Sequence, residues 1–263
     1  MVLDKKYKKI IKKTATAIGV LCFWLLIWQM VHLLLSNDLK MFLPDPVTVF
    51  KKWLEICFKP EFLYETGLTL LRIFGGYIAG IVAGIVLGVI TAEISLADAL
   101  ISPVLRIIRA VPVVSFIILA FLFFKIDILP AFISFLMVSV LVWQGTHNGI
   151  QNFDIKLDEM CNVYSVGRIK KLVKVKIPLC LSEIISAALS ALGLAWKSGV
   201  AAEVICTPKI SLGHRIYSAK TNLEYDEIYA VTLTVVLLSI LIEFALKYIY
   251  KLYSEKRKEE NRE

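Results

Sequence analysis

The side chains that could ligate a metal or attack a carbonyl are present but badly spaced. The five cysteines, Cys22, Cys57, Cys161, Cys180 and Cys206, stand in different segments without a CxxC pair, and His32, His147 and His214 are equally scattered. Neither set has the spacing of a zinc site or a disulfide framework. None of the 13 glycines is followed by lysine, so the chain has no GxxxxGK[ST] phosphate loop. No nucleophile elbow or carboxylate pair occurs in a recognisable setting. The reading is therefore of a chain with no catalytic residue, no metal and no cofactor of its own. What remains is charge in apolar surroundings: Glu183, Trp196, Lys197, Glu203 and Glu243 are the charged or large polar residues that fall inside apolar runs. Ionisable groups at membrane depth are costly, so each is a functional candidate. Lys197, with Trp196, Ser198 and Glu203 around it, would attract an oxyanion if it faced a pathway. The competing reading is an ion pair from Lys197 to Glu203 or Glu183.

The elements that position these residues follow from composition. With 58% hydrophobic and 20% charged residues in a chain of 263, this is an all-α integral membrane protein. The net charge of +8 comes from lysines clustered at the ends of apolar runs, which orient a membrane protein, so nucleic acid is not the expected partner. Residues 1–14, rich in lysine, form an expected cytoplasmic N-terminus, followed by an uncleaved first transmembrane helix at 15–36 that reaches the ~20 residues a bilayer requires. Residues 37–66 are an external connector of mixed charge. A second span, about Gly67 to Ile94, carries Gly76, Gly80, Gly84 and Gly88 at i,i+4 spacing, a smooth groove for close helix packing. Packing is favoured there over a direct role with substrate.

A third segment opens at Pro103, breaks at Pro112 and runs to Phe124, with Arg106 and Arg109 on one face near the inner surface. The fourth span ends near Gly149, the fifth follows Pro178, and the sixth covers about Ile228 to Tyr248, before a cytoplasmic tail at 251–263. Six spans put both termini inside, in a cell membrane.

Between the fourth and fifth spans lies the longest polar stretch, Asp154 to Pro178, acidic first and basic afterwards. Val163, Val166, Ile169, Leu172 and Val173 recur at helical spacing, opposite Arg168, Lys170, Lys171 and Lys174. That face wants a partner protein or a lipid surface. The stretch resembles the cytoplasmic signature loop of ABC-importer permeases: Glu-Ala-Ala, three residues, Gly, nine residues, Ile, one residue, Leu-Pro. With Pro178 on the final proline, Ile177 falls on Leu, Val175 on Ile, Ser165 on Gly, and Glu159, Met160 and Cys161 on Glu-Ala-Ala. Met160 and Cys161 replace small alanines and Ser165 replaces the glycine, with Gly167 two residues later. The bland reading is a basic cytoplasmic loop.

Other stretches are similar to the nitrate, sulfonate, taurine and bicarbonate class of these type I importers. They are Leu43-Pro44-Asp45-Pro46, Leu70 to Gly76 with Arg72 in an LxRxxxG pattern, Leu105 to Pro112, Leu212-Gly213 and, most sharply, Gly193-Leu194-Ala195-Trp196 through Ala201-Ala202-Glu203. Arg72 is read as either paired in the bundle or reaching outward.

The resemblance implies a permease subunit with a five-helix core over 67–250 and a cytoplasmic coupling loop at 150–178. It further implies a small, possibly anionic solute, a second identical permease copy, an extracellular solute-binding protein, and ABC ATPase subunits that carry ATP and magnesium. In this reading Glu159, Met160, Cys161, Val163, Tyr164, Ser165, Val166, Gly167, Arg168, Ile169, Lys170, Leu172 and Pro178 form the ATPase-docking loop. Val163, Tyr164, Val166, Ile169 and Leu172 are its apolar anchors. The alternative is an ion-coupled six-span secondary transporter, which should show inverted symmetry between its halves; no such repeat occurs. A membrane scaffold that only binds a cytosolic partner is the third reading.

Overall fold

The computed structural model describes residues 2–260, and the side chains of residues 15, 16 and 18–250. The N-terminal segment 1–14 and the tail 251–263 lie outside the described side chains. Every regular element among the described residues is helical: α1 (Val2–Leu34), α2 (Asn37–Lys40), α3 (Pro46–Cys57), α4 (Pro60–Glu93), α5 (Ser95–Ala110), α6 (Val113–Phe121), α7 (Leu129–Gln151), α8 (Ile155–Val163), α9 (Arg168–Lys171), a π-helical turn (Leu172–Lys176), α10 (Ile177–Leu179), α11 (Leu181–Cys206), α12 (Leu212–Thr221) and α13 (Tyr225–Glu260).

Four of these are long and apolar enough to cross a membrane: Pro60–Glu93, Leu129–Gln151, Leu181–Cys206 and Tyr225–Tyr250. The third segment, expected to break at Pro112, is two helices, α5 and α6, bent by 104°. Pro112 explains the break, since proline has no N–H to donate and pushes the residue before it out of the helical region. Val111 accordingly sits at φ −77°, ψ 136°. Within α1 the apolar stretch is Ile18–Leu34, shorter than the other spans. The connector at 37–66 is also more ordered than expected. Asp45 caps α3 by accepting from the Thr48 N–H at 3.0 Å, with Pro46 at the first helical position, and α4 begins at Pro60 rather than near Gly67.

The core is a triple layer of α4, α7 and α11. Ile73 and Tyr77 of α4 meet Val138 and Val142 of α7 and Ala191, Leu192, Ala195 and Trp196 of α11. Gly76, Gly80, Gly84 and Gly88 all face α7, and the approach leaves no room for side chains. A Cβ on Gly80 would lie 2.7 Å from the Val138 Cβ, and one on Gly84 2.7 Å from the Ser139 carbonyl oxygen. Close backbone approach is how membrane helices gain dispersion energy in the absence of a hydrophobic drive. The buried polar tips in this layer are satisfied: the Tyr77 hydroxyl donates to the Ala188 carbonyl at 2.9 Å and the Trp196 indole to the Val235 carbonyl at 3.0 Å. At one end of the bundle α7 runs into α8 and the loop returns through α10 to α11; we call this the loop end, and the opposite one the far end.

Candidate functional site

The loop end is built from local signals. Asp154 caps α8 by accepting from the Lys156 N–H at 2.9 Å. The helix is closed at Ser165, which takes the left-handed conformation at φ 52°. The Val166 N–H then returns to the Cys161 carbonyl at 2.9 Å and the Ser165 N–H to Asn162 at 2.9 Å, which satisfies the last carbonyls of the helix. This is the position where the signature pattern has glycine, and the conformation shows why: a left-handed turn costs a side-chain-bearing residue roughly 1–2 kcal/mol. Gly167 does not take over that role, since its φ of −58° suits any residue.

Electrostatic ties hold the loop in place. The Lys171 ammonium pairs with Asp158 at 2.5 Å and donates to the Asn162 amide oxygen at 3.1 Å, joining α9 back to α8. That hydrogen bond from Lys171 keeps the Asp158 carboxyl below the ordinary carboxylate range, against a small opposing effect of burial. Lys176 ties the loop to the bundle through Glu93, the last residue of α4, at 2.6 Å. A cleft of about 520 Å³ lies between these elements, lined by Glu93, Asp158, Arg168, Lys171 and Lys176 among others.

Of the expected docking residues, Cys161 is buried and Val166 and Leu172 are half-buried. Val163, Tyr164 and Ile169 stand out at 81%, 77% and 80% exposure, with Met160, Glu159, Ser165, Gly167, Arg168, Lys170 and Pro178 also exposed. Three large apolar side chains on the tip of a polar loop, flanked by Arg168 and Lys170, are left uncovered by the described residues.

The far end is the reverse, with polar groups buried and paired. Glu203, fully buried near the end of α11, accepts from the Thr69 hydroxyl at 2.8 Å, from the Gly213 N–H at 3.3 Å and from the Arg72 guanidinium at 3.4 Å. Arg72 also donates to the Ile210 carbonyl at 2.8 Å and lies 3.7 Å from Asp127 in the connection between α6 and α7. The Thr69 hydroxyl in turn accepts from the Leu212 N–H at 3.1 Å. Gly213 must be glycine, because a Cβ there would meet the Val204 nitrogen at 2.5 Å. Arg72, Glu203 and Leu212-Gly213 come from three separate stretches of the sequence and form one cluster.

A model of the family described as "Binding-protein-dependent transport system inner membrane component" matches residues 80–259, more than half of the chain. The chain belongs to this family.

As a family member it is a permease subunit of a type I ABC importer, an integral membrane transport component. Curated relatives agree. The chain is 25% identical over 189 residues to the putative aliphatic sulfonates transport permease protein SsuC of Bacillus subtilis, covering 72% of this chain and 68% of that one. It is 24% identical over 246 residues to the taurine transport system permease protein TauC of Escherichia coli, covering 91% and 89%. The nitrate import permease protein NrtB of Leptolyngbya laminosa is 25% identical over 189 residues, 71% of this chain and 67% of its own. Among solved structures, the inward-facing MetNI methionine ABC transporter matches in fold with a TM-score of 0.57 at 18% identity, covering 83% of this chain and 99% of the other.

Within this permease the four residues expected to line a pathway separate. Trp196, Ser198 and Glu203 are buried inside the chain, Trp196 and Glu203 with the partners given above and Ser198 donating to the Leu194 carbonyl at 2.7 Å. Lys197 is exposed, and no carboxylate pairs with it among the described residues. The Lys197–Glu203 pair therefore does not form here; Arg72 takes that carboxylate. A polar feature unnoticed in the sequence lies between α7 and α11, an open groove of about 520 Å³ lined by Gln144, Asn148, Ser182, Glu183, Ser186 and Ser190. Ser186 and Ser190 share a helical face with Glu183, which was the available signal.

Proposed function

We propose that this permease works as one of two identical copies, carrying a small oxyanion through the cell membrane. An external binding protein delivers the solute, and ATPase subunits that hold ATP and magnesium dock on the 154–178 loop. Both termini then lie in the cytoplasm with the loop. The observation that carries this reading is the bare apolar tip formed by Val163, Tyr164 and Ile169 on a loop anchored by Lys171–Asp158 and Lys176–Glu93. Apolar side chains of that size at the centre of a polar rim are how interfaces obtain most of their binding energy. The anchors below them supply the stiffness needed to convert closure of the ATPase subunits into tilting of the bundle. Glu159, Arg168 and Lys170 supply the flanking polar contacts. Relatives named for aliphatic sulfonates, taurine and nitrate support an oxyanion as cargo.

The test is purification from native membranes of the natural chain and of a Tyr164→Asp, Ile169→Asp variant. Both side chains are exposed, so the variant retains its bundle. An ATPase subunit accompanies the natural chain and is lost from the variant. If no ATPase accompanies either, and uptake in vesicles follows an ion gradient instead of ATP, the ion-coupled transporter replaces this reading.

A further inference from the structure

The helices of this bundle treat their uncovered faces differently. α4 exposes Leu71, Ile78, Val82 and Val86, and α13 exposes Leu237, Ile240, Leu241 and Phe244, as lipid-facing helices should. On α11, between residues 183 and 204, the exposed residues are Glu183, Ser186, Ser190 and Lys197. At 3.6 residues per turn these four fall within about 60° of one another around the helix axis. The buried face, with Leu192, Ala195, Gly199 and Glu203, lies on roughly the opposite side. Gln144 and Asn148 of α7 extend the same polar face across the groove. Lys197 is about 5 Å from the midpoint of α11 along its axis, too deep for its ammonium to reach the membrane surface by bending along an exposed stem. An ammonium at that depth facing lipid would cost several kcal/mol, about 3 on insertion scales.

We propose that this face of α11 and α7 is the wall of the water-filled pathway, and that Lys197 is its cationic station for a negatively charged solute. The proposal rests on the importer reading and adds to it the wall residues and the residue that holds the anion. The other charged groups on this side fit an anion route. Glu243 of α13 approaches Gly193, where a Cβ would lie 3.0 Å from its Oε1, but it is paired with Lys247 at 3.2 Å. Glu183, at the loop end of the stripe, accepts from the Ser182 hydroxyl at 2.7 Å and forms no ion pair among the described residues, while Arg109 of α5 donates to the Gln144 amide oxygen at the groove. An anion held at Lys197 therefore meets hydroxyls and amides at Ser190, Ser186, Gln144 and Asn148, then a carboxylate that repels it at the exit. Holding at mid-depth and repulsion at the mouth let a site bind its solute and still release it.

The test uses the full chain in native membrane vesicles, with cysteine placed at Ser190 or, as a lipid-facing control, at Val82. Each is treated with methanethiosulfonate reagents of similar size, one bearing a sulfonate and one a quaternary ammonium, and the labelled peptide is resolved from those of the native cysteines by mass spectrometry. Ser190→Cys is expected to react at least tenfold faster than Val82→Cys. Normalised to free cysteine, the sulfonate reagent should be favoured by about fourfold, from a unit charge two helical turns away acting through water. Lys197→Met should remove that preference, and Lys197→Arg should keep it. A Ser190→Cys site as silent as Val82→Cys would mean that a second copy or lipid covers the stripe, and overturns the proposal. Labelling without anion preference, or a preference that survives Lys197→Met, overturns the cationic station. Labelling needs no ATPase, so failure of the coupling-loop reading shows separately, as loss of the co-purifying ATPase from a chain that still labels.

Discussion

The two ends of the bundle handle mismatched side chains in opposite ways. At the far end a carboxylate and a guanidinium are drawn inside, and each is satisfied by neighbours on other helices: Thr69, Gly213 and Arg72 around Glu203, and Ile210 and Asp127 around Arg72. At the loop end charges stay at the surface and apolar side chains are left bare. A buried pair fixes the relation of the helices it joins, because breaking it strands a charge without water. A bare apolar tip fixes nothing within the chain and gains energy only when a second surface covers it. The far end is thus complete as it stands, whereas the loop end leaves an apolar surface open.

The contrast can be broken at either end. The largest effect should come from Glu203→Ala, which removes the buried carboxylate that Arg72, Thr69 and the Gly213 N–H share; a loss of about 3 kcal/mol is expected, visible as earlier thermal unfolding in detergent. Unfolding at the natural temperature would show that the cluster is ornamental. Gly213→Ala should cost about 2 kcal/mol by forcing its Cβ against Glu203 and Val204, read in the same assay. At the loop end the pattern should invert. Tyr164→Ala should change unfolding by less than about 0.5 kcal/mol, as at other surface sites, yet weaken ATPase binding by about 2 kcal/mol, roughly thirtyfold. If it destabilises the isolated chain instead, the tip is packed and not waiting for a partner.

Smaller effects sharpen the loop itself. Ser165→Val places a β-branched side chain in a left-handed turn and should cost about 1 kcal/mol locally, seen as faster hydrogen exchange over 155–166, while Ser165→Gly should slow that exchange. The weakest handle is pH. The Asp158 carboxyl is held below its ordinary value by Lys171, so its contribution is complete above the ordinary carboxylate pKa and fades as pH falls through the lower folded value. Loop exchange, corrected for intrinsic rates, should therefore be flat from pH 8 to about pH 5 and rise only below about pH 4. A rise near neutrality would point to a different anchor.

How much of this was legible in the chain depends on the distance over which each feature is set. The loop could be read closely because its determinants are local. The Glu159-to-Pro178 register lies within a few turns, and the left-handed Ser165 occupies the place the pattern reserves for glycine; the helical spacing of Val163, Val166 and Ile169 instead spans a break, since α8 ends at Val163 and α9 begins at Arg168. The start of α4 was also available, since Pro60 is a first-turn proline, but the charges around it read as connector. Pro112 announced a break without its angle. Arg72 was visible as a charge in a span, and Glu203 as another more than a hundred residues away; nothing in either neighbourhood indicates that they meet.

Composition, periodicity and motif order by themselves determined that this is a helical membrane permease of an importer family, with a long polar loop between its fourth and fifth expected spans. Those properties arise from residues that act within one helix or one turn, where hydrogen bonding and the bilayer leave few alternatives. Only the tertiary structure decided which polar residues are consumed inside the chain and which are left facing out. Trp196, Lys197 and Ser198 are consecutive, so a helix turns each to a different side, and Glu203, two turns on, faces the same way as Trp196. The packing of α4, α7 and α13 around α11 buries three of them and leaves Lys197 uncovered.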